Sequence, residues 1–258
     1  MSNLNKRFFS GLIGFLLLVL IVIKGGFLLK FSIYIVAMIG LREFYKAVEN
    51  INVKPLYFVG YLGSTAIFLN ILLNLELFNI ILTLLIIVTL GSMVFLKKIK
   101  LEDISITLIG VFYIPFLLFH IMYLSDTKYI WLIFIIAFGT DTFAYIVGNL
   151  LGKRKLCPRV SPNKTIEGSI GGIIGSIILS LIYSKIYELG DLWIIFIISF
   201  IGSIVAQIGD LTASKIKRQV EIKDYGFIMP GHGGVLDRFD SILFTAPLIY
   251  YCVSNFLI

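Results

Sequence analysis

Long apolar runs alternate with short polar or glycine-containing breaks along nearly the whole chain. A membrane-spanning helix needs roughly 20 mainly apolar residues to cross about 30 Å of hydrocarbon. Nine stretches approach or meet this length, and the pattern predicts an all-α, polytopic integral membrane protein with about nine transmembrane helices. The stretches cover residues 8–23, 27–41, 56–75, 77–96, 104–124, 129–150, 168–187, 192–213 and 239–258.

The first two apolar runs are short, and Lys24-Gly25-Gly26 separates them. This break is predicted to be a turn, or a kink within one tilted pair. Lys6 and Arg7 precede the first run, as in a signal peptide, but no small-x-small cleavage site follows. We therefore expect the first segment to be retained.

The basic residues predict an orientation in the membrane. Only 14% of the residues are charged, against about 25% in a soluble domain. With the N-terminus in the cytoplasm, 18 of the 22 lysines and arginines fall on the cytoplasmic side, as the positive-inside rule requires. The net charge of +7 then reflects topology and contact with anionic lipids, and no nucleic-acid partner is expected.

Charges and glycines are unevenly distributed between two predicted regions. Residues 1–125 form a plain transmembrane scaffold, and residues 126–258 form a transmembrane catalytic region with polar cytoplasmic loops. In the second region the polar residues gather in 140–172, 207–218 and 223–240. We expect these three clusters to build one polar site at the cytoplasmic face of the membrane.

Acidic residues in the second region have the chemistry of magnesium ligands. Asp141 and Asp210 lie within or near the ends of predicted spans, where an ionisable residue is costly and usually functional. Asp210, Asp237 and Asp240 offer the hard oxygen atoms that Mg²⁺ prefers. Asp237 and Asp240 are three residues apart and would share one helix face. From spacing alone, an ion-pair network at a helix end is an equally good interpretation.

Basic residues and glycines surround these acids. Lys215, Lys217, Arg218 and Lys223 form a positive patch after the eighth predicted span. A positive-inside anchor would explain the patch but not the acids interleaved with it. The glycines around His232 permit close backbone approach to a ligand, and the helix that starts just beyond could face an anion.

The segment from Ser161 to Gly168 precedes the seventh predicted span. Pro162 is expected to break regular structure. A capped helix start explains Thr165 and Glu167, but it does not explain Lys164, which lies where a phosphate could bind. Close helix packing explains the glycines that follow at three- or four-residue spacing. These glycines are Gly168, Gly171, Gly172 and Gly175.

Acids for Mg²⁺, bases for phosphates and a position at the lipid boundary together fit phosphoryl or nucleotidyl transfer onto a membrane lipid. The chain has no GxxxxGK[ST] loop and no protein-kinase signature set. A nucleotide must therefore be held in another way.

The run from Ser214 to Asp240, SKIKRQVEIKDYGFIMPGHGGVLDRFD, resembles the signature of bacterial phosphatidate cytidylyltransferases, the CDP-diacylglycerol synthases. The match includes K-R-x(4)-K-D and H-G-G-x-x-D-R-x-D, and Met229 is a mild departure. The resemblance extends upstream to DTFAY from Asp141, Gly152-Lys153, residues 161–168 and QIGDL from Gln207. It covers about the last 120 residues.

The resemblance implies transfer of a cytidylyl group from CTP to phosphatidate, giving CDP-diacylglycerol and diphosphate. It also implies a homodimer in the bacterial inner (cytoplasmic) membrane, with the active site facing the cytoplasm. Mg²⁺ is the expected cofactor, and a monovalent ion such as K⁺ is a second candidate. The metal ligands implied are Asp210 and Asp237, with Asp141 and Asp240 nearby.

The resemblance and the chemistry of the side chains also assign further roles. Besides Asp210 and Asp237, the catalytic candidates are Lys217, Arg218 and His232. The substrate-binding candidates are Lys164, Ser214, Lys223, Gly233, Gly234 and Arg238.

Two other functions remain open at this stage. A CTP-dependent lipid kinase would transfer the γ-phosphate to a lipid alcohol and would need a base, for which Asp240 or His232 could serve. An ion or anion transporter would scatter polar residues across the depth of several helices, whereas here the polar residues concentrate toward one predicted face.

Overall fold

The structure is a computed structural model, and it describes residues 3–96, 98–227 and 233–257. Helices dominate this part of the chain, and two short strands form its only sheet. A π-helical turn at Phe112–Phe116 joins α5 to α6, and β1 and β2 are Lys155–Cys157 and Ser161–Thr165. The helices are α1 Asn3–Lys24, α2 Gly26–Val48, α3 Tyr57–Leu73, α4 Phe78–Phe95, α5 Leu101–Val111, α6 Leu117–Tyr123, α7 Ile130–Leu151, α8 Ile166–Tyr187, α9 Leu192–Gln219 and α10 Leu236–Phe256.

Within the described residues, each of the nine predicted apolar segments lies largely in a helical part of the chain. Helices form there because a backbone in hydrocarbon must satisfy its polar groups within the segment. Within the described residues, five helical stretches are long and apolar enough to span a membrane: α4, Leu101–Tyr123, α7, α8 and α9. The protein is thus an all-α, multi-pass membrane protein, while the count of nine spans and the orientation stay predictions.

The break between the first two apolar runs separates two helices. α1 ends at Lys24 and α2 begins at Gly26. Gly25 and Gly26 have φ values of 59° and 54°, a conformation that glycine adopts without the steric cost of a Cβ atom.

The chain divides into two compact units, and neither is continuous in sequence. Unit 1 comprises Met1–Met122 and Gln219–Arg238, and unit 2 comprises Tyr123–Arg218 and Phe239–Ile258. The predicted boundary after residue 125 falls close to the first division. The inclusion of Gln219–Arg238 with the N-terminal helices was not predicted.

In unit 1, Tyr45 of α2 occupies a fully buried position. Its hydroxyl donates a 2.7 Å hydrogen bond to the backbone oxygen of Thr107. A Cβ atom at Gly60 or Gly110 would lie only 2.3 Å from an atom of the Tyr45 side chain. Glycine at these two positions therefore makes room for the ring, and the buried hydroxyl keeps a partner.

In unit 2, α7 and α8 pack closely through small residues. A Cβ atom at Gly172 would lie 2.7 Å from the backbone oxygen of Thr140, and one at Gly175 would lie 2.1 Å from the Phe143 ring. Close helix packing, predicted from the glycine spacing, is confirmed.

The start of α8 is capped as predicted. The Thr165 hydroxyl accepts a hydrogen bond from Gly168 N at 3.1 Å. Glu167 Oε2 accepts from the backbone N–H groups of Lys153 and Arg154 at 3.0 and 3.1 Å. These bonds tie the β hairpin that precedes α8 to the beginning of the helix.

Pro162 lies within β2, which pairs antiparallel with β1 through Lys155–Thr165 and Cys157–Ser161. The register shifts between these two pairs, so the predicted break in regular structure at Pro162 takes the form of an irregularity within the strand pair. A two-stranded sheet consists of two edge strands, and an edge strand tolerates a residue without a backbone N–H.

Replacing Gly172 by alanine is expected to lower the free energy of unfolding by about 1–3 kcal/mol, because the new methyl group meets backbone rather than a movable side chain. Thermal unfolding of the purified protein in detergent would measure the change. Gly91→Ala is the matched control, since a Cβ atom at this helical glycine has no neighbour within 4 Å. Equal behaviour of the two variants would contradict the packing described for α7 and α8.

Candidate active site

Three carboxylates from three helices lie close together in unit 2: Asp141 of α7, Asp210 of α9 and Asp240 of α10. Asp240 interacts electrostatically with both Asp210 and Asp141. Ser241 donates through Oγ to Asp141 Oδ2 at 3.1 Å and through its backbone N–H to Asp240 Oδ1 at 2.8 Å. We call these three residues the acidic cluster.

Two lysines compensate part of the negative charge. Lys164, at the end of the hairpin, forms a salt bridge with Asp210. Lys217 of α9 interacts favourably with Asp240. Ser214, one helical turn after Asp210, lies 3.4 Å from its Oδ1. Three carboxyl groups and two ammonium groups thus share one site, and a further cation would relieve the repulsion among the carboxylates.

Neutral hydrogen bonds join the helices that carry the acids. Thr140, next to Asp141, donates to the Ser203 hydroxyl at 2.8 Å, and both side chains are buried. Ser169 donates to Gln207 Oε1, and Gln207 Nε2 donates back to Ser169 O at 3.3 Å. These pairs link α9 to α7 and to α8. The sequence analysis did not predict these hydrogen-bonded pairs. A signal was present, because Thr140 lies one position before Asp141 and Gln207 lies three positions before Asp210, each in an apolar run.

In unit 1, Asp237 organises the start of α10. Its carboxyl is buried, and Oδ2 accepts hydrogen bonds from Tyr225 N at 2.8 Å and Gly234 N at 2.9 Å. Gly233 has a φ of 88°, and a Cβ atom there would lie 2.8 Å from Asp237 Oδ2. Gly233 and Gly234, which were predicted to permit close approach of a ligand, thus lie close to the Asp237 carboxylate of the protein itself.

Glu43 of α2 holds the same segment and was missed from the sequence. Its buried carboxylate accepts from Val235 N at 3.0 Å and from Leu236 N at 2.8 Å. A Cβ atom at Gly234 would lie 2.6 Å from either Glu43 oxygen. The first backbone N–H groups of a helix have no intrahelical partner, so Glu43 caps α10 from 192 residues away.

The remaining predicted residues lie in several places. Lys217 and Arg218 belong to the last turn of α9 rather than to a loop, because lysine and arginine favour helix and suit its C-terminal end. Arg218, Lys223 and Arg238 are exposed, in α9, the following loop and α10 respectively. His232 lies outside the described residues.

The donors of the acidic cluster fit Mg²⁺ in kind. Within residues 3–96, 98–227 and 233–257, no three His, Cys, Asp or Glu side chains form a ready-made metal-binding group. Mg²⁺, however, usually takes one or two carboxylates and completes its shell with substrate phosphates and water. The hard carboxylate oxygens of the acidic cluster meet this requirement.

The fold and the cluster together define a multi-pass helical membrane protein in which carboxylates from three helices lie beside lysines from a helix and a β hairpin. The chain belongs to the cytidylyltransferase family. The family model with that description matches residues 5–256, so the similarity includes the N-terminal helices as well as the last 120 residues.

Individual relatives align over nearly their whole length. The phosphatidate cytidylyltransferase of Staphylococcus epidermidis is 34% identical, and the alignment covers 95% of this chain and 97% of the relative. The protein of the same name from Staphylococcus haemolyticus is 35% identical with the same coverage. The one from Bacillus subtilis is 31% identical over 99% of this chain and 100% of the relative.

Replacing Glu43 by alanine is expected to lower the free energy of unfolding by about 1–3 kcal/mol for each of the two N–H groups left without an acceptor. Glu43→Gln retains one acceptor oxygen and should fall between wild type and Glu43→Ala in a thermal unfolding experiment. Glu49→Gln is the matched control, because Glu49 is exposed and accepts only from the Tyr57 hydroxyl, at 3.0 Å. If Glu43→Ala were as stable as this control, the capping role of Glu43 would be wrong.

Proposed function

We propose that this protein is a phosphatidate cytidylyltransferase, which converts CTP and phosphatidate to CDP-diacylglycerol and diphosphate in phospholipid biosynthesis. Near-full-length similarity to bacterial relatives of that name supports the proposal. The structural observation that carries it is the acidic cluster with Lys164 and Lys217. The protein is accordingly an enzyme of the nucleotidyltransferase class.

The reaction needs no general base for its nucleophile. A phosphate monoester has a second pKa near 6, so the phosphatidate phosphate is mostly a dianion at about pH 7. One of its oxygens attacks the α-phosphorus of CTP, and a new P–O bond forms. The bond from the α-phosphorus to the oxygen shared with the β-phosphorus breaks, and diphosphate leaves with that electron pair.

The main obstacle is electrostatic repulsion between two anionic substrates, and positive groups lower this barrier. Lys164 and Lys217 are the bases beside the acidic cluster and would orient phosphate oxygens. Arg218, Lys223 and Arg238 are further candidates for phosphate binding. Ser214 would donate through its hydroxyl. His232 stays a predicted catalytic residue, with a role in orienting a phosphate or donating to diphosphate.

Mg²⁺ is the proposed cofactor, and Asp141, Asp210 and Asp240 would hold it. Asp237, which the family signature also implies as a metal ligand, stays a separate prediction. When bound, it would reduce repulsion between the anions and stabilise charge on the leaving group. K⁺ stays a second proposed ion.

The remaining proposals concern assembly and location. As in the sequence prediction, the protein would act as a homodimer in the bacterial inner membrane, with its active site facing the cytoplasm. Membrane lipids would surround the apolar helices, where the acyl chains of phosphatidate already lie. CTP would arrive from the aqueous side.

The expected activity can be tested with purified, detergent-solubilised protein, phosphatidate and Mg²⁺, using CTP labelled at either the α- or the γ-phosphorus. Label should enter the lipid phase from α-labelled CTP and not from γ-labelled CTP, because the cytidylyl group carries only the α-phosphorus. Transfer of γ-label to a lipid alcohol would instead establish the kinase. If folded protein transferred neither label to a lipid, both the cytidylyltransferase and the kinase function would be wrong.

Replacing Asp240 by asparagine is expected to lower kcat by about 100-fold or more, since electrostatic groups at a reacting centre typically contribute this much. Asn has nearly the shape of Asp and keeps the acceptor for Ser241 N. The variant should therefore unfold at about the same temperature as wild type.

Asp126→Asn is the matched control, because Asp126 is exposed in a loop and asparagine tolerates its φ of 67°. Near-wild-type kcat for a folded Asp240→Asn variant, equal to that of the control, would remove Asp240 from the proposed site.

A further inference from the structure

Unit 1 contains a cavity of about 820 Å³ lined by the end of α2 and by the loop of residues 222–227. This volume lies within the range of about 300–1,000 Å³ typical of small-molecule sites. Three basic side chains line it: Arg42 and Lys46 from α2, and Lys223 from the loop. We call it the α2 cavity.

Two of the three acids in the lining already have hydrogen-bond donors. Glu43 accepts from the backbone N–H groups of Val235 and Leu236. Glu49 accepts from the Tyr57 hydroxyl at 3.0 Å. Asp224 is the third acid and is exposed. Two of the three acids are therefore hydrogen-bonded to neutral groups rather than to the three bases.

The bases, in contrast, have no such partners. Arg42, Lys46 and Lys223 form neither a salt bridge nor a side-chain hydrogen bond within the part of the chain that the structure describes. Arg42 and Lys46 are four residues apart in α2, so they lie on one helix face about 5–6 Å apart at Cβ. A membrane anchor would also be basic, but it would not require the bases to line a cavity of ligand size.

The α2 cavity adjoins the segment that carries the family signature. Glu43 lines the cavity and also binds the backbone of Val235 and Leu236. Lys223 and Asp224 in the lining belong to the signature itself, whereas Arg42 and Lys46 lie about 170 residues before its start.

We propose that the α2 cavity binds a phosphate group of one of the two substrates through Arg42, Lys46 and Lys223. This inference rests on the proposed function. A guanidinium group can bind two phosphate oxygens at once, and ammonium groups add point charges. The triphosphate of CTP and the phosphate of phosphatidate share this chemistry, so the experiment must distinguish them.

The test uses the full chain in detergent with Arg42→Gln, Lys46→Gln and the double substitution. The KM for one substrate should rise about 10- to 100-fold in the double variant, because hydrogen bonds to charged groups contribute at this level. The KM for the other substrate should change little. Arg42→Lys, which keeps the charge, should recover part of the loss.

Lys54→Gln is the matched control. Lys54 is exposed in unit 1, carries the same charge and does not line the cavity. A higher KM for CTP alone would assign the cavity to the triphosphate, and a higher KM for phosphatidate alone would assign it to the lipid phosphate. Values equal to those of Lys54→Gln for both substrates would overturn the proposal.

Failure of the proposed function would be visible separately, because wild-type protein would then transfer no label from CTP. In that case, equilibrium dialysis with labelled CTP and with short-chain phosphatidate would test the cavity without turnover. Binding to wild type that weakens at least about tenfold in the double variant would support the site. Equal binding by the double variant and by Lys54→Gln, or no binding by wild type, would overturn it.

Discussion

A carboxylate can persist inside an apolar helix bundle only where backbone N–H groups or cations replace the water that it loses. This constraint governs the polar interior of the protein. Glu43 and Asp237 meet it in unit 1 through N–H groups at and before the start of α10. Asp210 meets it in unit 2 through the Lys164 ammonium group. The same chemical problem is therefore solved by backbone in one unit and by charge in the other.

These two solutions have different consequences. A carboxylate that accepts backbone N–H groups fixes the path of the chain, because the donors cannot move without opening the segment. A carboxylate paired with a lysine side chain holds a flexible partner, and four rotatable bonds allow that partner to turn toward another anion. Glu43 is accordingly a structural residue, whereas Lys164 is suited to exchange Asp210 for a substrate phosphate under the proposed function.

The sequence predicted the helices well, because the need to bury backbone polar groups leaves a long apolar run little choice of structure. It also predicted the capped start of α8 at Thr165, where all the partners are local. It did not predict β2 around Pro162, since the antiparallel partner that makes β2 a strand is itself unremarkable in sequence. The eighth predicted apolar run ends at residue 213, whereas α9 continues to Gln219 and includes Lys215, Lys217 and Arg218.

The candidate site was only partly predictable. Asp141, Asp210 and Asp240 stand out as acids in or beside apolar runs, and the signature resemblance singled them out further. Glu43 has the same local appearance, but its partner lies 192 residues away, and no periodicity or spacing rule connects the two. Ser241 was missed for another reason: a serine beside an aspartate is common, and only its contact with Asp141 distinguishes it.

The balance of charge in the acidic cluster bears on what its carboxylates do. Under the proposed function, the phosphatidate phosphate is mostly a dianion at about pH 7 and needs no base, so proton abstraction would give no reason for three acids beside the phosphates. Ionised carboxylates would repel both substrates, because both are anions. A divalent ion would remove this conflict, since it binds carboxylates and phosphates together. The acids would then serve to hold a metal, and the lysines would orient the phosphates that the metal attracts.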